Sequence, residues 1–115
     1  MIERIDDSVL TISPIAKVDP EINTEQRAKI FAALADPTRL RIVELLDQKG
    51  ELSSSEIAGQ LGISLALLCH HSKTLAEAGL IQCRKEGQTK FNSLNQGMLK
   101  ACFESFNLSE GTDRI

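Results

Sequence analysis

Between residues 53 and 64 the chain starts a helix, stops it and starts another. Ser53-Ser54-Ser55-Glu56 has the form of a capping box, in which the serine hydroxyl takes a backbone N–H and the glutamate returns to the serine's own N–H. Ile57, Ala58 and Leu61 follow at helical spacing. Gly62 supplies the left-handed residue of a tight turn, Ile63 is placed to plug into a core, and Ser64 caps a further helix. In that helix Leu68, Leu75 and Ala78 face inward, and Gly79 ends it.

Two capped helices joined by one glycine turn make a helix-turn-helix. A hairpin comes directly after it. Residues 80–85 read as a strand, Glu86-Gly87-Gln88 as a turn, and residues 89–94 as a return strand alternating polar and apolar. A hairpin in that place is a wing. Upstream, Asn23 is a candidate N-cap with Gln26 as its reciprocal partner, and Ile30, Phe31 and Leu34 share one face. That helix stops at Asp36-Pro37, because the residue before proline is pushed out of the helical region. Asp36 can cap the next helix with Pro37 at its first position. Leu40, Val43 and Leu46 recur there, with Leu45 beside them, and Gly50 closes it. A last helix over 96–106 carries Leu99, Cys102, Phe103 and Phe106 on one stripe. The expected fold is mainly α: about five helices plus a two-stranded wing. Residues 1–22 read as an irregular N-terminal arm, 23–107 as the winged helix-turn-helix domain, and 108–115 as a frayed tail.

The formal net charge is −3, which taken alone argues against a nucleic-acid partner. Its distribution reverses the argument. Residues 1–26 carry a net −4, whereas in residues 64–90 Lys73, Arg84, Lys85 and Lys90 outnumber Glu77 and Glu86 for a net +2. That excess falls on the second helix of the pair and on the wing, where it can share one face. Such a helix fits the major groove and reads base edges with its N-terminal half. The expected DNA contacts are therefore Ser64, Leu65, Leu67, Cys69, His70 and Lys73 on the helix, and Arg84, Lys85, Gln88 and Lys90 on the wing.

At these residues the chain resembles a known family. Ala32-Ala33-Leu34-Ala35-Asp36-Pro37-Thr38-Arg39-Leu40-Arg41-Ile42 is similar to the opening of the ArsR/SmtB-type bacterial repressors. Ile57-Ala58-Gly59-Gln60-Leu61-Gly62-Ile63-Ser64, then His70-His71, Lys73, Leu75 and Ala78-Gly79-Leu80-Ile81, resemble their helix-turn-helix. Arg84-Lys85-Glu86-Gly87-Gln88 resembles their wing. The resemblance covers about residues 25–106. It implies a homodimer, paired through the first and last helices, that represses transcription from a double-stranded DNA operator. Ile30, Phe31, Leu99, Phe103 and Phe106 are then the expected dimer contacts.

The departures bear on the effector. Where many relatives hold two thiolates this chain reads Glu51-Leu52-Ser53-Ser54-Ser55, and hydroxyls are poor ligands for soft metals. Where others hold zinc in the last helix it reads Gln96-Gly97-Met98-Leu99-Lys100-Ala101-Cys102-Phe103-Glu104, without histidine. No metal and no cofactor is expected at the family's familiar sites. Leu65, Leu67 and Cys69 stand where relatives usually carry polar residues, and Ser72 stands at a common core leucine.

Cys69-His70-His71 leaves two readings open: a redox thiol or a metal or haem ligand on one side, a serine substitute beside phosphate-touching histidines on the other. Adjacent helix residues point to different sides, so one helix makes a poor chelate of the three. Cys102, on the apolar stripe, is the second redox candidate. Cys69, Cys83 and Cys102 are an odd count without a Cys-x-x-Cys pair, which argues against a disulfide framework and for a reducing, cytoplasmic setting. No apolar run approaches a membrane span, and the first residues carry acids rather than a secretory signal. An enzyme is not expected: no acid is placed to orient an imidazole, and no glycine-rich phosphate loop is present. The alternative to a regulator is a winged-helix dimerisation or protein-interaction module that has lost specific DNA binding, motivated by the apolar Leu65 and Leu67.

Overall fold

The computed structural model describes residues 22–106. Five helices and a three-stranded sheet follow one another as α1 (Thr24–Leu34), α2 (Pro37–Lys49), β1 (Leu52–Ser53), α3 (Ser54–Leu61), α4 (Leu65–Glu77), β2 (Ile81–Glu86), β3 (Thr89–Leu94) and α5 (Gln96–Glu104). The arm and the tail lie outside the described residues except for Ile22, which packs against the core.

The N-caps form where the sequence puts them, but the expected reciprocal contact from Gln26 to Asn23 does not: the Gln26 side chain reaches Met98 Sδ on α5 at 3.9 Å instead. The Asn23 side chain accepts from the N–H of Gln26 at 2.8 Å, and that of Asp36 from the N–H of Arg39 at 3.0 Å. Ser53 and Glu56 close the reciprocal box at 3.1 and 2.8 Å. Ser64 accepts from the N–H of Leu67 at 3.0 Å. Gly62 sits at φ +70°, a left-handed conformation that costs most side chains energy. From there the N–H of Ile63 returns to the carbonyl of Ala58 at 3.1 Å. The turn between α3 and α4 is thus fixed by two caps and one glycine.

Ile30, Ile42, Leu46, Ile57, Leu68, Leu75, Leu80 and Cys102 are fully buried. On α2 the inward stripe is Ile42, Val43 and Leu46, and Leu40 is 43 % exposed. The cause lies in Arg39. Its Nε donates to the carbonyl of Ala33 at 2.6 Å, and its Nη1 lies 3.2 Å from Nδ1 of His71 on α4. Arg39 takes the inward position of the first turn and rotates Leu40, about 100° away, to the surface.

The wing has one more strand than its hairpin. Leu52 and Ser53 pair antiparallel with Asn92 and Phe91, giving the order β1-β3-β2. β2 and β3 pair from Ile81↔Leu94 to Glu86↔Thr89 around a two-residue turn, in which Gly87 takes φ +62°. Within β3 the polar Asn92 is the fully buried residue. Its Nδ2 donates to Ser54 Oγ at 3.0 Å, and its Oδ1 accepts from the Cys83 thiol at 3.3 Å. This satisfied polar rivet ties the wing to the start of α3. α5 ends at Glu104, two residues short of the expected stretch, and residues 105–106 form a turn.

Candidate nucleic-acid interface

α4 packs on the core through Leu68, Ser72 and Leu75 and leaves its other face outside. That outer face carries the exposed Leu65, Ala66, Leu67, His70 and Lys73, with the exposed Ser64 at its head. Of the six helix residues expected to meet DNA, only Cys69 is half-buried. His70 and His71 diverge. His71 turns inward, with its imidazole 12 % exposed and Nδ1 4.0 Å from Asp36 Oδ2. It joins α4 to the α1–α2 corner and does not reach a phosphate, which corrects the reading of both histidines as phosphate contacts. It also takes His71 away from Cys69. Among the described residues, no three His, Cys, Asp or Glu side chains converge.

An open groove of about 250 Å³ lies between three elements. Ser53, Ser54 and Ser55 form one wall at the start of α3, Leu65 and Cys69 a second, and Lys85, Gln88, Thr89 and Lys90 of the wing the third. Lys85 and Lys90 are directly opposite in the register, so their side chains share a face and their like charges repel. Neither has an ion-pair partner among the described residues. Two cations without an ion-pair partner among the described residues make the wing side of this groove positive. Ser54, Ser55 and Thr89 escaped the sequence reading. Their signal was the capping box itself, which marks a helix N-terminus but not what faces it.

Arg84 is placed differently from its neighbours. Its Nε and Nη2 donate to the two carboxylate oxygens of Glu51, both at 2.9 Å, and Nη1 lies 3.4 Å from Glu86. The guanidinium also stacks over the Phe91 ring, 4.6 Å from its centroid. The hydrogen bond from Arg84 holds the Glu51 carboxyl below its ordinary value, and the same bond raises Arg84. This bidentate pair spans the wing and the loop after α2, and it occupies the side chain that the sequence offers as a DNA contact.

Cys102 is fully enclosed by the core, and burial pushes its thiol up, toward the unreactive protonated form. Ile30 is likewise fully buried within one protomer. It cannot meet a partner chain, which removes it from the expected dimer contacts. The other four form a surface cluster. Phe31 stands edge-on to Phe103 at 5.9 Å and tilted to Phe106 at 5.7 Å, with Phe103 50 % and Phe106 47 % exposed. Leu99 is half-buried beside the core.

A family model described as a helix-turn-helix domain matches residues 34–84. The chain is 40 % identical over 81 residues to the uncharacterized HTH-type transcriptional regulator YceK of Bacillus subtilis, covering 70 % of this chain and 81 % of that one. It is 30 % identical over 84 residues to the arsenical resistance operon repressor of Staphylococcus aureus, covering 73 % and 80 %. The chain belongs to the ArsR/SmtB-type family of winged helix-turn-helix regulators. It is a DNA-binding transcriptional regulator. Its fold is similar to the solution structure of a homodimeric winged helix-turn-helix domain from Mycobacterium bovis, a possible ArsR-family regulator. The TM-score is 0.61 at 27 % identity, over 76 % of this chain and 82 % of that one. No helix among the described residues of the regulator is long and apolar enough to cross a membrane.

Proposed function

We propose that the regulator acts as a homodimeric repressor that seats two α4 helices in successive major grooves of a pseudo-palindromic operator, and that oxidation of Cys69 or a bound effector releases it. The observation that carries this reading is the positive groove beside the exposed face of α4. From the exposed face of α4, Ser64, Leu65, Leu67, His70 and Lys73 meet base edges, and from the groove wall Lys85, Gln88 and Lys90 hold the sugar-phosphate backbone. Ser55, at the first turn of α3, faces the same phosphate path. Arg84 acts through Glu51 as a brace of the wing. Phe31, Leu99, Phe103 and Phe106 form the dimer seam, a reading supported by their exposure and by the homodimeric relative. Two-fold symmetry then sets half-sites about 34 Å apart.

Cys69 is the thiol best placed for release, because it forms part of the groove wall. Hydrogen peroxide converts a thiol to a sulfenic acid with loss of water, enlarging a side chain at the DNA surface. The test is anisotropy of labelled DNA from upstream of the regulator's own gene, at two salt concentrations, reduced and after mild peroxide, beside Cys69→Ser. Tight, salt-sensitive binding that peroxide releases in the wild type but not in Cys69→Ser supports both parts. Binding indifferent to peroxide retains the operator and discards the thiol. Absence of specific binding discards the operator and favours the interaction module, with Leu65 and Leu67 as its contact surface.

A further inference from the structure

The first turn of α4 presents no hydrogen-bonding side chain. Leu65 is 49 % exposed, Leu67 is 43 % exposed, and Ala66 between them is exposed as well. At about 100° per residue, Ala66, His70 and Lys73 run down the centre of the outer face, opposite the buried Leu68 and Leu75, and the two leucines flank that line. The Ser64 oxygen is already taken by the N–H of Leu67. Polar readout begins only with His70 and Lys73, one turn further in. An unpartnered apolar turn of this kind needs an occupant. The cations around it, Lys73 on the helix and Lys85 and Lys90 on the wing, match a polyanion rather than an apolar protein surface.

Among the features a duplex offers in its major groove, the one an aliphatic side chain recognises is the C5-methyl group of thymine. We infer that Leu65, Ala66 and Leu67 read thymine methyl groups, so that each half-site is specified chiefly by methyls at its centre and by His70 and Lys73 at its edge. This rests on the operator-binding reading above.

The test starts from a pool of randomised 30-base-pair duplexes, from which the reduced, full-length chain selects its preferred sequence. The selected duplex is then remade with single thymines replaced by deoxyuridine, which pairs identically and lacks only the methyl. Binding should weaken about fourfold for each methyl removed at the contacted positions, the worth of one buried carbon. In the Leu65→Ala, Leu67→Ala double variant the difference between thymine and uracil should fall toward onefold at the positions the two leucines contact and persist where Ala66 does; both leucines are surface residues, so the variant folds. A selected sequence bound equally with thymine and uracil overturns the methyl reading and leaves operator binding intact. A pool from which no sequence is enriched overturns operator binding, and the methyl reading falls with it.

Discussion

Replacing both Lys85 and Lys90 by glutamine should flatten the salt dependence of DNA binding without weakening the fold. The two lysines face each other across the wing and repel, so nothing in the free protein depends on their charge. They are the two phosphate-facing cations of each protomer, or four per dimer. Four neutralised phosphates give a log–log salt slope of about −4, and the double variant keeps almost none of it. Between 50 and 200 mM salt the wild type should lose affinity by about a hundredfold, and the variant hardly at all. Anisotropy of one labelled duplex across that range measures the slope, and a thermal melt checks that the variant's Tm is no lower. The loss should be uniform across sequences, since phosphate contacts carry no base information. An unchanged slope in a folded variant would refute the assignment of the groove as a phosphate seat.

Other substitutions separate the parts of the molecule. The Ser72 hydroxyl is buried without a partner among the described residues, so Ser72→Ala should raise stability by about 1 kcal/mol in urea unfolding; a loss would show that the hydroxyl is bonded after all. Asn92→Ala should cost about 2 kcal/mol, because it strands the Ser54 hydroxyl beneath the wing, and amide exchange in β2 and β3 should quicken together. Phe103→Ser with Phe106→Ser should yield a monomeric mass in sedimentation at micromolar concentration with the protomer's helicity retained; a dimeric mass would move the seam elsewhere. The Arg39 N–H holds the Asp36 carboxyl below its ordinary value of 3.8. A depressed carboxylate stabilises the fold fully above that value and stops doing so as pH falls through the folded-state value. The unfolding midpoint should therefore drop on the acid side less steeply in Asp36→Asn than in the wild type.

The features legible in the sequence are those whose partners lie a few residues away. Asn23, Asp36, Ser53 and Ser64 each cap through a backbone N–H three residues on, and Gly62 and Gly87 answer to the local backbone alone. The hairpin, too, is decided within fourteen residues. The features that escaped depend on distant chain. β1 is two residues long, too short to leave an alternation. Arg84 finds Glu51 thirty-three residues away, and no spacing rule couples them. Ile30 shares a face with Phe31 in the sequence, yet only the packed core shows which of the two is sealed inside. Asn92 reads as a surface residue until a serine from another element meets it under the wing.

The Arg39 guanidinium grips the end of α1 through the Ala33 carbonyl and the reading helix through His71. Arg39 therefore joins α1, which carries Phe31 of the proposed seam, to α4, the helix proposed to read DNA: the two proposed surfaces meet at a single guanidinium.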